Sequence, residues 1–219
     1  ITWGLFQKVL LSDRVNMYVR AIFANHERYS GFPVIMAILL YTFQLYMDFA
    51  GCINIARGSA QLFGITLEEN FKRPFFATSV NDFWRRWHMT LGSWFRDYVY
   101  IPMGGNRKGI PRLLLNLCVV WLLTGLWHGS GVNFLIWGIT VGLFVIVEKL
   151  FYGKWLSRHK LVSHIYVWIV IPLTWVIFAV TSLPDLGIYF GRLFPFFGIG
   201  ETLNPQDIFK YFSMYWWLL

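Results

Sequence analysis

Residues 113–147 read LLLNLCVVWLLTGLWHGSGVNFLIWGITVGLFVIV, a run without a single Asp, Glu, Lys or Arg. A helix needs about 20 apolar residues to cross a bilayer, so this run is too long for one crossing and too apolar for the surface of a soluble domain. It is interrupted at His128-Gly-Ser-Gly131, which leaves one arm over 113–127 and another over 132–147. At about 1.5 Å of rise per residue each arm reaches about 23 Å, short of the roughly 30 Å hydrocarbon core. The expectation is a re-entrant or short helical hairpin over 113–147, with His128 at membrane depth where the arms meet. Irregular backbone there has to be lined by protein or water, because lipid offers no hydrogen bonds.

The composition agrees. Of 219 residues, 57% are apolar, 20% aromatic and 14% charged, against roughly 45–50% apolar and about 25% charged in an ordinary soluble domain. A second uncharged run, 161–184, lies between Lys160 and Asp185, and residues 29–47, entered at Pro33, can cross once before Asp48 ends the run. Together these mark an all-α, polytopic transmembrane protein. The chain starts without Met and ends in an apolar run, Tyr211 to Leu219, which reads as one piece of a longer membrane protein, a single membrane-embedded domain over 1–219. The net charge of +8 suits loops facing the anionic cytoplasmic leaflet, so the expected partner is the lipid bilayer and not nucleic acid. Cys52 and Cys118 have neither the number nor the spacing for a disulfide framework or a zinc site.

From Asp48 to Arg112 the sequence is amphipathic, with nine Lys and Arg, and 48–112 is expected as a cytoplasmic-side region. It contains two capping-box spellings, Thr66-Leu-Glu-Glu69 and Ser79-Val-Asn-Asp82. After the second, Trp84, Trp87, His88, Leu91 and Phe95 recur at helical spacing while Arg85, Arg86, Arg96 and Asp97 supply a charged side. That pattern predicts an amphipathic helix at the membrane interface or in a water-filled cleft. Gly104-Gly-Asn-Arg-Lys-Gly-Ile-Pro111 is a breaker-rich loop. If 113–147 is a hairpin, Arg112 and Lys149 share one face with Lys154, Arg158 and Lys160, and the positive-inside rule makes that face cytoplasmic. Residues 185–208, whose one basic residue is Arg192, then face outward. Lys8, Arg14, Arg20 and Arg28 fit this count less well, which puts part of the chain before Tyr29 along the interface or changes the number of crossings.

Ionisable groups at membrane depth are costly and therefore point to function. His128 leads, because a neutral imidazole can take a proton from a hydroxyl near pH 7 and its glycine neighbours leave room for a substrate. Position alone also allows a helix-packing histidine bonded to a carbonyl. His88, which follows Trp84 and Trp87 on an aromatic face flanked by Arg85 and Arg86, reads equally as an interfacial residue. Asp97 beside Arg96 reads as an ion pair, Asp48 as a membrane-edge residue or a bond to a neighbouring helix, and Glu148 beside Lys149 as an interfacial pair. His26, His159 and His164 read as loop or interface residues. There is no G-x-S-x-G, H-E-x-x-H, G-x-x-x-x-G-K-[ST] or G-x-G-x-x-G, and no His precedes an Asp by five positions, which argues against serine hydrolysis, zinc chemistry and nucleotide hydrolysis.

Five stretches, YTFQLYMDFAG (41–51), LEENFKRPF (67–75), DFWRRWHMTL (82–91), WFRDYVYIP (94–102) and GLWHG (125–129), together resemble the membrane-bound O-acyltransferase family. Gly104-Gly-Asn-Arg-Lys-Gly109 after Tyr-Ile-Pro looks like its alginate O-acetylation branch, and less like the D-alanyl transfer branch of teichoic acid synthesis. The resemblance implies the C-terminal half or so of a protein of the bacterial inner membrane, with tilted helices around a tunnel. It implies that His128 is catalytic and that His88 is the family's second histidine, with Trp127, Asp97 and Arg86 as neighbouring substrate-binding residues. The implied reaction moves an acyl group from a cytoplasmic thioester, acetyl-CoA or an acyl carrier protein, to hydroxyls of an exported or cell-surface polysaccharide. It runs directly or through a periplasmic or surface-anchored acyltransferase partner, with no metal and no bound cofactor. A transporter, or a scaffold subunit of a polysaccharide-modifying complex, is the rival reading from another class.

Overall fold

The computed structural model describes residues 1–25, 29, 31–193 and 213. Every regular element among them is helical. An N-terminal arm is formed by α1 (Thr2–Leu5), a π-helical stretch (Phe6–Ser12) and α2 (Asp13–Ala24), and it packs along α3 (Phe32–Leu62). Gly31, at φ 65°, and Pro33 in the first turn start α3, where a missing N–H costs nothing. The helix does not stop at Asp48, as the charge pattern suggested, but runs for 31 residues. Lys8 explains this: its Nζ lies 2.7 Å from Asp48 Oδ1, so the carboxylate is matched from the neighbouring arm. The expected region 48–112 therefore begins inside a helix.

Two short helices follow, α4 (Val80–Arg86) and α5 (Met89–Phe95), and then α6 (Gly109–His128), α7 (Val132–Val147), α8 (Gly153–Arg158), α9 (Lys160–Ala179) and α10 (Leu183–Leu193). A π-helical turn, Glu148–Tyr152, joins α7 to α8 without a break. Among the described residues, four segments are long and apolar enough to cross a membrane: Phe32–Leu62, Gly109–His128, Val132–Arg158 and Lys160–Ala179. The chain is thus an all-α, multi-pass membrane protein.

The hairpin of α6 and α7 forms around His128-Gly-Ser-Gly131, but its arms are longer than expected, 20 and 27 residues. The charges that seemed to bound them have internal partners. Arg112 Nε donates to Met103 O at 2.8 Å, while Glu148, 5% exposed, accepts from Val80 N at 2.7 Å. Neither has to leave its helix for water. The two arms meet at glycines: a Cβ on Gly138 would sit 2.5 Å from Trp121 O, and one on Gly125 2.6 Å from Phe134 O. Such bare backbone lets membrane helices approach closely.

The segment between α3 and α6 does not stay on one side of this bundle. Ala77 O accepts from His164 Nδ1 at 3.1 Å near the start of α9, and Val80 is tied to Glu148. By Trp87 and His88 the chain has reached the His128 end, where the His88 and Trp127 rings are 5.9 Å apart. It returns as α5 and a π-helical turn (Arg96–Tyr100) to the loop that Asn116 holds through Gly105 O at 2.9 Å. Val80, Phe83 and Trp87 are buried together with Trp137, Val141, Ile171 and Trp175 in the main apolar core. At the other end, Gly31 N donates to Arg192 O at 2.9 Å, which places the entry to α3 beside the end of α10. His26, Arg28 and residues 194–208 of the expected outward loop lie outside the described residues.

Candidate active site

Ser79 starts α4 as the second capping box requires, its side chain accepting from Asp82 N at 3.0 Å, and Glu148 accepts from Val80 N and Asn81 N at the same helix end. The first capping box caps nothing, since 65–69 form no helix. The single amphipathic helix expected through Trp84 and Phe95 is broken instead. Trp87 is extended, and His88 is left-handed at φ 47°, a conformation uncommon for a residue with a Cβ but more frequent for His than for most. Backbone pairing imposes the break: Lys72 N donates to Arg86 O and Met89 N to Asn70 O, at 2.9 and 3.0 Å. Residues 70–72 thus replace the helical partners that this turn has lost.

The break carries His88 into a cavity of about 920 Å³. On α6 the lining residues are Leu117, Val120, Trp121, Thr124 and His128, one face of a helix by their spacing. Trp137 and Trp175 add walls from α7 and α9, and Arg85, Arg96, Glu148 and Lys149 supply the charged part of the lining. His128 packs edge to face against Trp127, Trp137 and Phe178, with ring centroids 5.1, 5.0 and 5.2 Å away. Among the described residues none hydrogen-bonds its ring, unlike the carbonyl-bonded histidine that position alone allowed. His88 Nδ1 lies 3.0 Å from Asn70 Oδ1, and its ring stacks edge-on to Phe49 at 4.7 Å. Burial lowers the His88 pKa below the ordinary imidazole value, which favours the neutral ring.

The two histidines, remote from each other in the sequence, therefore face one cavity. Trp127, Arg86 and Asp97, the substrate-binding residues that the resemblance implied, lie outside its lining. Trp127 is 58% exposed and outside the lining, though its ring touches both histidines. Arg86 Nε is held by Asp82 Oδ1 at 3.0 Å, and it is Arg85 that lines the cavity. Asp97 pairs with Arg96 at 2.8 Å on the exposed surface; the Arg96 hydrogen bond holds its carboxyl below the usual carboxylate range, and only Arg96 reaches the cavity. Glu148 is a buried helix cap instead of an interfacial partner of Lys149. Sequence reasoning missed Asn70, Arg85 and Arg96. Asn70 stood in the quoted LEENFKRPF stretch, but nothing in its spacing connected it to His88. His159 and His164 bond the carbonyls of Trp155 and Ala77. Among the described residues no cluster of three or more His, Cys, Asp or Glu is arranged to hold a metal ion.

Membrane-length helices around an aromatic cavity with two facing histidines define a polytopic membrane protein with an internal site. The chain belongs to the membrane-bound O-acyltransferase family, MBOAT, whose family model matches residues 1–182. It is 36% identical over 195 residues to a probable alginate O-acetylase of Pseudomonas fluorescens, covering 88% of this chain and 39% of that protein. It is 37% identical over 184 residues to a peptidoglycan O-acetyltransferase of Helicobacter pylori, covering 82% and 35%. It is 33% identical over 168 residues to a teichoic acid D-alanyltransferase of Bacillus subtilis, covering 72% and 41%. The chain spans between 28% and 41% of the length of the curated relatives it matches.

Proposed function

We propose that this chain is the catalytic C-terminal half of an O-acetyltransferase of the inner membrane, which moves acetyl from a cytoplasmic thioester toward hydroxyls of an exported or cell-surface polysaccharide. The observation that carries the reading is the convergence of His88 and His128 on one cavity. His128 takes the proton of the attacking hydroxyl as its oxygen bonds the acyl carbon. The carbon–sulfur bond then breaks, and the proton goes to the departing thiolate, giving an ester and a free thiol with no metal or bound cofactor in the cycle. His88 holds the donor or acceptor. Trp127 backs both rings from outside the lining. Arg85, Arg96 and Lys149 bind the donor, taking the substrate-binding role that the resemblance implied for Arg86 and Asp97, because they line the cavity and those two do not.

The size of the cavity limits its guest. About 920 Å³ falls within the roughly 300–1,000 Å³ of small-molecule sites, enough for an acyl group on a thioester arm. A polysaccharide entering it would leave many hydroxyls without hydrogen-bond partners. The acetyl group is therefore passed to a periplasmic or surface-anchored acyltransferase partner that meets the polymer outside. The alginate and peptidoglycan O-acetylases among the relatives support the substrate class. Full-length protein in lipid nanodiscs, given labelled acetyl thioester and a hydroxyl acceptor, should release free thiol with transfer of label; binding or movement of label without thiol release would favour a transporter or scaffold.

A further inference from the structure

Asn70 lies in the extended segment after α3, is 8% exposed, and sends its side-chain oxygen toward three groups. Oδ1 stands 3.0 Å from His88 Nδ1, 3.3 Å from Thr90 N and 2.7 Å from Thr90 Oγ1. A backbone N–H can only donate, so Thr90 N requires the oxygen, not the amide nitrogen, of Asn70 to face this cluster. An oxygen facing Nδ1 at hydrogen-bond distance requires Nδ1 to carry the proton, since two lone pairs would repel. The tautomer of a neutral histidine is set by the bond its other nitrogen makes.

From this geometry we infer that Asn70 is a positioning residue that locks His88 as the Nδ1–H tautomer, so that Nε2 meets the cavity as a hydrogen-bond acceptor. The inference rests on the reading of the cavity as an acyl-transfer site and narrows the role of His88 within it. An acceptor nitrogen binds a hydroxyl or amide N–H of the guest and cannot donate to the thioester carbonyl. His88 thus grips the hydroxyl of the acceptor or an amide of the donor arm. The same Asn70 fixes the backbone, since its carbonyl accepts from Met89 N at 3.0 Å and holds His88 in its left-handed conformation. The charged or titratable groups sharing the cavity with His88 are His128 from α6, Arg85 from α4, Arg96 and Tyr100 after α5, and Glu148 and Lys149 after α7. The carboxamide itself is neutral and adds no charge to this set.

The test has a readout that does not depend on acyl transfer. Nitrogen-15 spectra of histidine-labelled full-length protein in nanodiscs, with the His88 signals assigned by their loss in His88→Gln, should show a protonated Nδ1 and an unprotonated Nε2 at neutral pH. A protonated Nε2 would overturn the proposal even if the protein proved to be an active acyltransferase, and a protonated Nδ1 would sustain it even if no transfer were found. Asn70→Asp keeps all three acceptor contacts but adds a negative charge beside Nδ1. It should raise the His88 pKa and move the acidic limb of the transfer rate upward by about one pH unit or more. Asn70→Leu, lacking the acceptor, should give mixed tautomers. An unshifted acidic limb and imidazole titration in Asn70→Asp would refute the lock.

Discussion

His128 and His88 differ in how they are held, and the proposed reaction uses that difference. No described residue hydrogen-bonds the His128 ring, which sits among Trp127, Trp137 and Phe178, so both nitrogens are available to a guest, as a group that takes and returns a proton needs. His88 has one nitrogen committed to Asn70 and in the proposed reaction serves as a fixed contact. Replacing His128 by Ala should therefore lower acyl transfer by about 10²–10⁴, the usual loss for a general base, with insertion and accumulation unchanged because no side-chain hydrogen bond among the described residues is lost. Thiol release and acceptor labelling at equal protein levels measure this, and turnover near the unmutated rate would remove His128 from the mechanism. With its pKa lowered by burial, His88 stays neutral at pH 7. Its midpoint lies below the ordinary imidazole value, so the proposed acceptor function is favoured at neutral pH and fades as acidity rises.

At the scale of elements, two contacts join the helices that line the cavity. Ser79 and Glu148 cap the N-terminus of α4, where the helix dipole favours negative charge, and they anchor the segment that carries His88 to the end of α7. The α6–α7 hairpin is set by its glycines, of which Gly138 meets the backbone of Trp121 directly. Gly138→Val would force the two backbones apart, a misfit costing about 1–3 kcal/mol in a packed core. It should lower the thermal unfolding midpoint in detergent, and it should also reduce transfer, because the Trp121–His128 face of α6 would shift against Trp137. An unchanged midpoint with full activity would show that the close approach is not needed.

For the whole molecule, crossings alternate. Residue 106 lies before α6 and residue 187 follows α9, with the α6, α7–α8 and α9 spans between them, an odd number, so they belong on opposite faces. The Lys and Arg near Arg112, Lys149, Lys154, Arg158 and Lys160 make the first face cytoplasmic. Cysteine placed at Asn106 should react with an impermeant thiol reagent only from inside the cell. Cysteine at Gly187, where an added Cβ meets nothing within 4 Å, should react only from outside. The background for both lacks Cys52 and Cys118, which are exposed. Reaction of both from one side would overturn the crossing order. It would also reverse the proposed flow of acyl groups, since Arg85, Arg96 and Lys149 mark the donor's entrance only if that face is cytoplasmic.

That the chain is helical and membrane-embedded, that His128 stands at a break between two apolar arms, and that its motifs are those of an acyltransferase family could all be read from the order of the amino acids. Each of these is local: uncharged length, glycine breaks and short motifs need no knowledge of what packs against them. Helix ends were less legible. Arg112, Asp48 and Glu148 looked like boundaries because a charge alone does not belong in lipid, and only the fold supplies Met103, Lys8 and the α4 N-terminus as their partners. The path of residues 77–100 through the bundle was hidden for the same reason. Trp84, Trp87, His88 and Leu91 have helical spacing, but Asn70 and Lys72 pull the backbone out of that helix. Tertiary packing thus chose Arg85 over Arg86 and Arg96 over Asp97 for the cavity, and paired Asn70 with His88 across 18 positions. Neighbours in a sequence differ by about 100° around a helix, and which of them faces a ligand is settled by what the other side must bury.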